Sequence, residues 1–137
     1  GAMNSIFELG SAIGSPRVPK SVEFYKKYKK SYGKALQAGH GPAPAYESVY
    51  ILAEAIERAG SLNPDAIVAE LEKTDRTGVM GRIKYDDGHQ AIFGSNPQEM
   101  AIGTVFQWTE DGKRHIVFPE SIAEAKIQLP PGLTSLK

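Results

Sequence analysis

Residues 45–60, AYESVYILAEAIERAG, carry a broad apolar stripe at helical spacing and end on a glycine. Tyr46, Val49, Tyr50, Ala53 and Ile56 recur at intervals of three and four, and Ile51, Leu52 and Ala55 widen the arc. Gly60 suits the left-handed position just beyond a helix end, because it has no β-carbon to clash there. The stretch is predicted as a helix over residues 45–59, apolar on so wide an arc that it calls for cover on more than one side.

Working outward, residues 20–32 repeat the pattern with Val22, Tyr25, Tyr28 and Tyr32 on one stripe, Phe24 beside it and Gly33 after it. The opposite face bears Lys26, Lys27, Lys29 and Lys30. This reads as a solvated helical face, because the chain balances 16 Lys+Arg against 16 Asp+Glu and has no motif for nucleic acid, which is not expected as a partner. Between the two helices, residues 35–44 (ALQAGHGPAP) are small and poor in charge, the composition of a loop that can approach a ligand closely. Asn63 is a good N-cap and Pro64 a natural first helical residue for a third helix over residues 65–73, with Ile67, Val68 and Leu71 inward. Residues 4–20, with Gly10, Gly14, Pro16 and Pro19, read as mostly irregular.

From Gly78 the period changes. Residues 79–85 alternate, with Ile83 and Tyr85 opposing Arg82 and Lys84, and Asp86-Asp87-Gly88 follows as a turn. Residues 102–109 and 113–118 face each other across Glu110-Asp111-Gly112, a strong hairpin signal, with Trp108 and Phe118 expected to pack beside it. A helical turn over residues 120–125 precedes Pro130-Pro131-Gly132 and a frayed end.

The 137 residues, 41% hydrophobic and 23% charged, have the profile of one globular domain. Gly1-Ala2-Met3 read as the remnant of a cleaved tag. With Cys 0 there is no disulfide, thiolate nucleophile or cysteine zinc site. The longest nearly apolar run, residues 48–56, is interrupted by Glu54 and falls far short of the roughly 20 residues that span a bilayer. His40, His89 and His115 lie apart in sequence without metal-ligand spacing, so no metal or other cofactor is expected. Asp86-Asp87-Gly88-His89 lacks the alternating ligands and terminal glutamate of a calcium loop. No nucleophile elbow or phosphate loop occurs, and Glu54 and Glu57 read as surface carboxylates paired with Arg58 and its neighbours. Nothing in the pattern supports an enzyme.

The succession FYxxYxxxYG at residues 24–33, the helix at residues 45–60, NPDAI at 63–67, LEKT at 71–74, GVMGRIKYD at 78–86, VFQW at 105–108 and DGK at 111–113 resembles the C-terminal part of type I periplasmic substrate-binding proteins of ABC transporters. The likeness is to the branched-chain amino acid and amide group, the Leu/Ile/Val-binding-protein-like receptors, and runs from about residue 20 to residue 131. It implies an α/β fold: part of a two-lobed receptor, with about three helices followed by a strand and a β-hairpin. Residues 4–137 would form a single partial domain, 4–101 ending the first lobe and 102–137 crossing the hinge into closing strands and tail. The resemblance further implies a periplasmic location, a small-molecule ligand (an amino acid, amide or small organic acid), and an ABC permease as partner. Ligand contact is implied on the loop before the long helix, where the family often has an aromatic ring. Here His40, Gly41 and Pro42 stand in that loop and Tyr46 follows; the other reading of these positions is a solvated histidine and a packed helical tyrosine. With most of the implied cleft elsewhere, weak or no ligand binding is expected, and the long apolar helix is expected to drive self-association into a dimer. A ligand-sensing regulatory domain of the same fold and a stand-alone interaction module are the alternative readings.

Overall fold

A computed structural model describes residues 6–11, 14–36 and 40–130. Helix α1 (Pro19–Tyr32) starts on a proline, whose fixed φ suits the first turn, and stops at Gly33 in the left-handed conformation. Helix α2 (Pro42–Ala59) begins earlier than the sequence pattern suggests: Pro42 and Pro44 are both accommodated where a helix has no backbone partners to lose. It ends at Gly60, whose N–H donates to the Ile56 carbonyl at 3.0 Å. Helix α3 (Pro64–Glu72) is capped by Asn63 Oδ1, which accepts from the amides of Asp65 at 2.9 Å and Ala66 at 3.2 Å.

Among the described residues, five strands form two sheets. Strands β2 (Asp75–Gly78) and β3 (Gly81–Lys84) make a tight antiparallel hairpin with Val79 and Met80 at its turn. Strands β4 (Gly103–Trp108) and β5 (Arg114–Phe118) form the expected hairpin, and β1 (Phe7–Ser11) pairs antiparallel on the other side of β4. A bulge between Val105 and Phe106 shifts the β4–β5 register. A single 3-10 turn, Glu120–Ile122, follows.

Two buried apolar clusters organise these elements. One holds Val18, Ile102, Phe106, Ile116 and Ile122 beneath the three-stranded sheet. The other holds Ala43, Ile51, Val79, Met80, Ile83 and Ala101 between the helices and the small hairpin, with Phe24, Tyr46, Leu71 and Tyr85 packed on its margin. Ala101 and Ile102 are consecutive yet belong to different clusters.

Several expectations are revised. Part of residues 4–20 is a strand rather than irregular chain: β1 is held by backbone pairing, while its large side chains Phe7 and Leu9 face solvent at 49% and 72% exposure. The run 79–85 is the second half of a hairpin whose first half, Asp75-Arg76-Thr77-Gly78, has no apolar side chain to announce it. On α2 the buried residues are Ala43, Glu47, Ile51 and Ala55, so the buried stripe is rotated from the one read in sequence, and Val49, Tyr50 and Leu52 are exposed. Phe118 is 53% exposed rather than packed, lying in register with Val105 and Leu9 across the outer face of the sheet. Tyr32 is exposed and rests on Tyr28, with ring centroids 4.6 Å apart. Glu54 pairs with Arg76, while Arg58 pairs with Glu70 at 3.2 Å. Residues 1–3, expected to be a tag remnant, residues 37–39 of the loop and the expected frayed end lie outside the described residues.

Candidate functional site

The loop-to-helix entry that sequence singles out is built by Gly41 and Pro42 at the start of α2, where the Gly41 carbonyl accepts from the Ala45 amide at 3.1 Å. His40 and Gly41 are exposed and Pro42 is half-buried. One turn on, Tyr46 is half-buried and belongs to an aromatic row: its ring lies 4.7 Å from Phe24 and 4.9 Å from Tyr50. The Tyr46 hydroxyl donates to that of Tyr50 at 3.4 Å, and this bond, before partial burial, raises the Tyr46 pKa. Tyr46 also lines a cleft of about 200 Å³ together with Lys20, Phe24, Glu47 and Arg76. His40, Gly41 and Pro42 do not line that cleft. The four predicted positions therefore divide, three on the exposed entry turn and Tyr46 inside an aromatic and ionic cluster.

Beside Tyr46 sits a group that the sequence reading passed over. Glu47 is 2% exposed, and its carboxylate accepts from the Val79 amide at 2.5 Å and from Arg76 Nε at 2.8 Å. A second arm of Arg76 reaches Glu54, and its guanidinium lies over the Tyr50 ring, 5.1 Å from the centroid. Buried charge is stable only when paired and hydrogen-bonded, and both conditions are met here. The signal was present in the spacing: Glu47 lies midway between Ala43 and Ile51, four residues from each on the buried stripe. This cluster fastens α2 to the β2–β3 hairpin, and so fixes the outlook of the entry turn one helical turn earlier. It offers no acid–base pair in contact with a nucleophile, and among the described residues no group of histidines and carboxylates is arranged to hold a metal.

A larger cleft, about 770 Å³, opens beside the first apolar cluster, whose Val18 and Ile122 help to line it. Its walls come from the segment leading into α1, from the β2–β3 hairpin, from the loop at Asn96, Pro97 and Gln98, and from the 3-10 turn at Ser121 and Ile122. No predicted site residue lies in it.

The profile of the family described as periplasmic binding protein matches residues 6–113. A Leu/Ile/Val-binding protein homolog 7 from Brucella suis is 28% identical over 123 residues, covering 87% of this chain and 29% of the relative. The solved leucine binding protein LivK of Thermotoga maritima superposes with a TM-score of 0.62 at 26% identity, over 84% of this chain and 30% of that one. A Silicibacter pomeroyi structure described as a branched-chain amino acid ABC transporter shares the fold, with a TM-score of 0.75 at 17% identity over 94% of this chain and 35% of that one. The chain spans less than a third of the length of the curated relatives it matches.

Proposed function

This chain belongs to the periplasmic binding protein family, and from that premise we propose that it forms part of an extracytoplasmic solute receptor that delivers a small ligand to an ABC importer. The family consists of binding proteins, not enzymes, which agrees with the sequence reading. The ligand class is an amino acid, an amide or a small organic acid; relatives are named for leucine, isoleucine and valine.

The observation that carries this reading is the division of the interior. Ala101 is 1% exposed in one apolar cluster and Ile102 0% exposed in the other. Two packed bodies joined by short crossings are the substrate of hinge bending, in which a ligand favours the closed arrangement by binding it better. We assign residues up to 101 to the end of one lobe and residues from 102 to the other, with β1 and Val18 counted with the second because they pack there. The turn at His40, Gly41 and Pro42, with Tyr46 behind it, faces the ligand.

Support for self-association comes from the outer face of α2, where Val49 is 68% exposed, Tyr50 43% and Leu52 46%. In this reading a second copy covers that face.

The test is an amide-shift titration of the chain with L-leucine, L-isoleucine, L-valine and small aliphatic amides. Weak binding with perturbations centred on Gly41, Ala45 and Tyr46 is expected. Perturbations that avoid these residues for every ligand in the panel would remove the entry turn from the site.

A further inference from the structure

The charges of the chain balance in number but not in place: residues 17–34 hold seven of its 16 Lys+Arg and one of its 16 Asp+Glu. Within α1, Lys26, Lys27, Lys29 and Lys30 are all exposed, and the helical repeat puts them on one face, opposite the buried Ser21. Elsewhere pairing is the rule: Arg58, Lys73, Arg76, Arg82, Lys84, Lys113 and Arg114 each meet a carboxylate. Among the described residues none of the four α1 lysines does, although Glu23 stands three and four positions before Lys26 and Lys27. Lys26 is a neighbour of Lys29 and Lys30 on the helix surface, and Lys27 of Lys30, so like charges repel across the whole face. The helix C-terminus offsets this for Lys29 and Lys30 in the last turn, but not for Lys26 and Lys27. Beside them runs a groove of about 300 Å³ whose lining includes Val22, Tyr25 and Leu36 as well as Lys26 and Lys29, so both cations have apolar surface along their stems. At the end of the same helix Tyr32 is 66% exposed.

We propose that this face of α1 docks on an anionic lipid surface, with Lys26, Lys27, Lys29 and Lys30 among the headgroups and Tyr32 at the boundary between water and acyl chains. Four or more basic residues on the polar face of an amphipathic helix are what the negative potential of an anionic leaflet attracts. Two features favour lipid over an acidic protein. The four charges are all lysine, in which protein interfaces are depleted, and its flexible point charge suits laterally mobile headgroups where the fork of arginine suits a fixed carboxylate. The groove and Tyr32 supply the mixed apolar and polar surface that a lipid–water boundary accepts, and tyrosine is enriched there. The attachment is peripheral, since among the described residues no helix is long and apolar enough to cross a membrane. The face shares no residue with the entry turn of α2 or with Tyr46, so it stands independently of the solute-binding reading.

Co-sedimentation of the unmodified chain with vesicles tests this, using phosphatidylcholine alone and phosphatidylcholine with about a third phosphatidylglycerol, at low salt and at about 0.5 M salt. The chain is expected to sediment with the anionic vesicles at low salt, to be released at high salt and to ignore the neutral ones. Lys26→Gln/Lys27→Gln/Lys30→Gln is expected to bind the anionic vesicles at least about thirtyfold more weakly. Lys73→Gln/Lys113→Gln/Lys126→Gln removes the same charge elsewhere and is expected to lose less than about threefold. No binding to anionic vesicles at low salt, equal binding to both kinds, or an equal loss in the two triple variants would overturn the proposal. Tighter binding to poly-L-glutamate than to the vesicles would also overturn it, in favour of an acidic protein. The lipid, salt and polyglutamate comparisons use the unmodified chain, so they decide the matter even where a triple variant fails to fold.

Discussion

The carboxylate of Glu47 fills the space that a β-carbon on residue 78 would need, so Gly78 and Glu47 are a mutually exclusive fit of backbone against side chain. Glu47 is not free to swing aside, being held by the Val79 amide and Arg76. Gly78→Ala is therefore expected to lower unfolding free energy by about 2–4 kcal/mol, as Glu47 is pushed from its bonds. Glu47→Gln, which keeps an acceptor for Val79, should cost less than Glu47→Ala. Urea unfolding of the three variants checks the order; a Gly78→Ala protein as stable as its parent would show that Glu47 is not fixed in place.

Among the described residues the Tyr25 hydroxyl is buried without a hydrogen-bond partner, and burial pushes its pKa up to about 12 despite the opposing charge of Arg114. Removing an unsatisfied polar atom while keeping the ring should be neutral or stabilising by up to about 1 kcal/mol in Tyr25→Phe. A thermal unfolding midpoint at or above the parent's is the expected outcome, and a clear drop would mean the hydroxyl has a bond after all.

Asp75 receives both Nε and Nη2 of Arg82 at 2.6 Å, with Lys84 Nζ 3.4 Å away. These hydrogen bonds lower its pKa from the ordinary 3.8 to about 2. A depressed carboxylate contributes stability that is present above the unfolded value and lost as pH falls through the folded one. The stability gap between the parent and Asp75→Asn is thus expected to be full above pH 4 or so and to close on approach to pH 2. Unfolding curves collected across that window test it, and a gap independent of pH would detach the effect from the Asp75 charge.

Val49 and Leu52 lie on the exposed side of α2, away from the Glu47 contacts. If that face is where copies meet, Val49→Glu/Leu52→Glu should convert the dimer to a monomer while leaving the helical content unchanged, because neither side chain is buried in the single chain. Light scattering and circular dichroism on the same sample read the two effects separately. A parent that is monomeric at all concentrations would exclude this face as an interface between copies.

What the sequence discloses depends on whether chemistry at a position is local. Gly60, Asn63 and Asp111-Gly112 mark element ends through their own backbone and side-chain preferences, and the structure has α2, α3 and the β4–β5 turn bounded there. Strand β2 is held instead by cross-strand partners, Asp75 opposite Lys84 and Thr77 opposite Arg82, with no apolar alternation to reveal it. The turn between β2 and β3 depends on Gly81 at φ 95, where an added β-carbon would come within 2.7 Å of the Met100 carbonyl oxygen, a neighbour nineteen positions away. The candidate site divides in the same way: Tyr46 is legible as an aromatic at the start of a helix, whereas the ionic lock at Glu47 depends on Arg76, twenty-nine positions distant. Arg17 and Lys20 carry no local signal of their contacts, because the Ser121 and Thr77 carbonyls that receive them lie 104 and 57 positions away.

The junction at Ala101 and Ile102 constrains the chain in length as well as in composition. The Ile102 amide donates to the Met80 carbonyl at 2.8 Å, and the Ala101 amide to that of Ile92 at 3.1 Å, so both residues are anchored where they part. A residue inserted between them would rotate one side chain out of its interior or pull the neighbouring strand out of step. The turn at Asp86, Asp87 and Gly88, exposed throughout, could absorb the same insertion at little cost. Length variation among relatives should therefore gather at that turn and spare the 101–102 step.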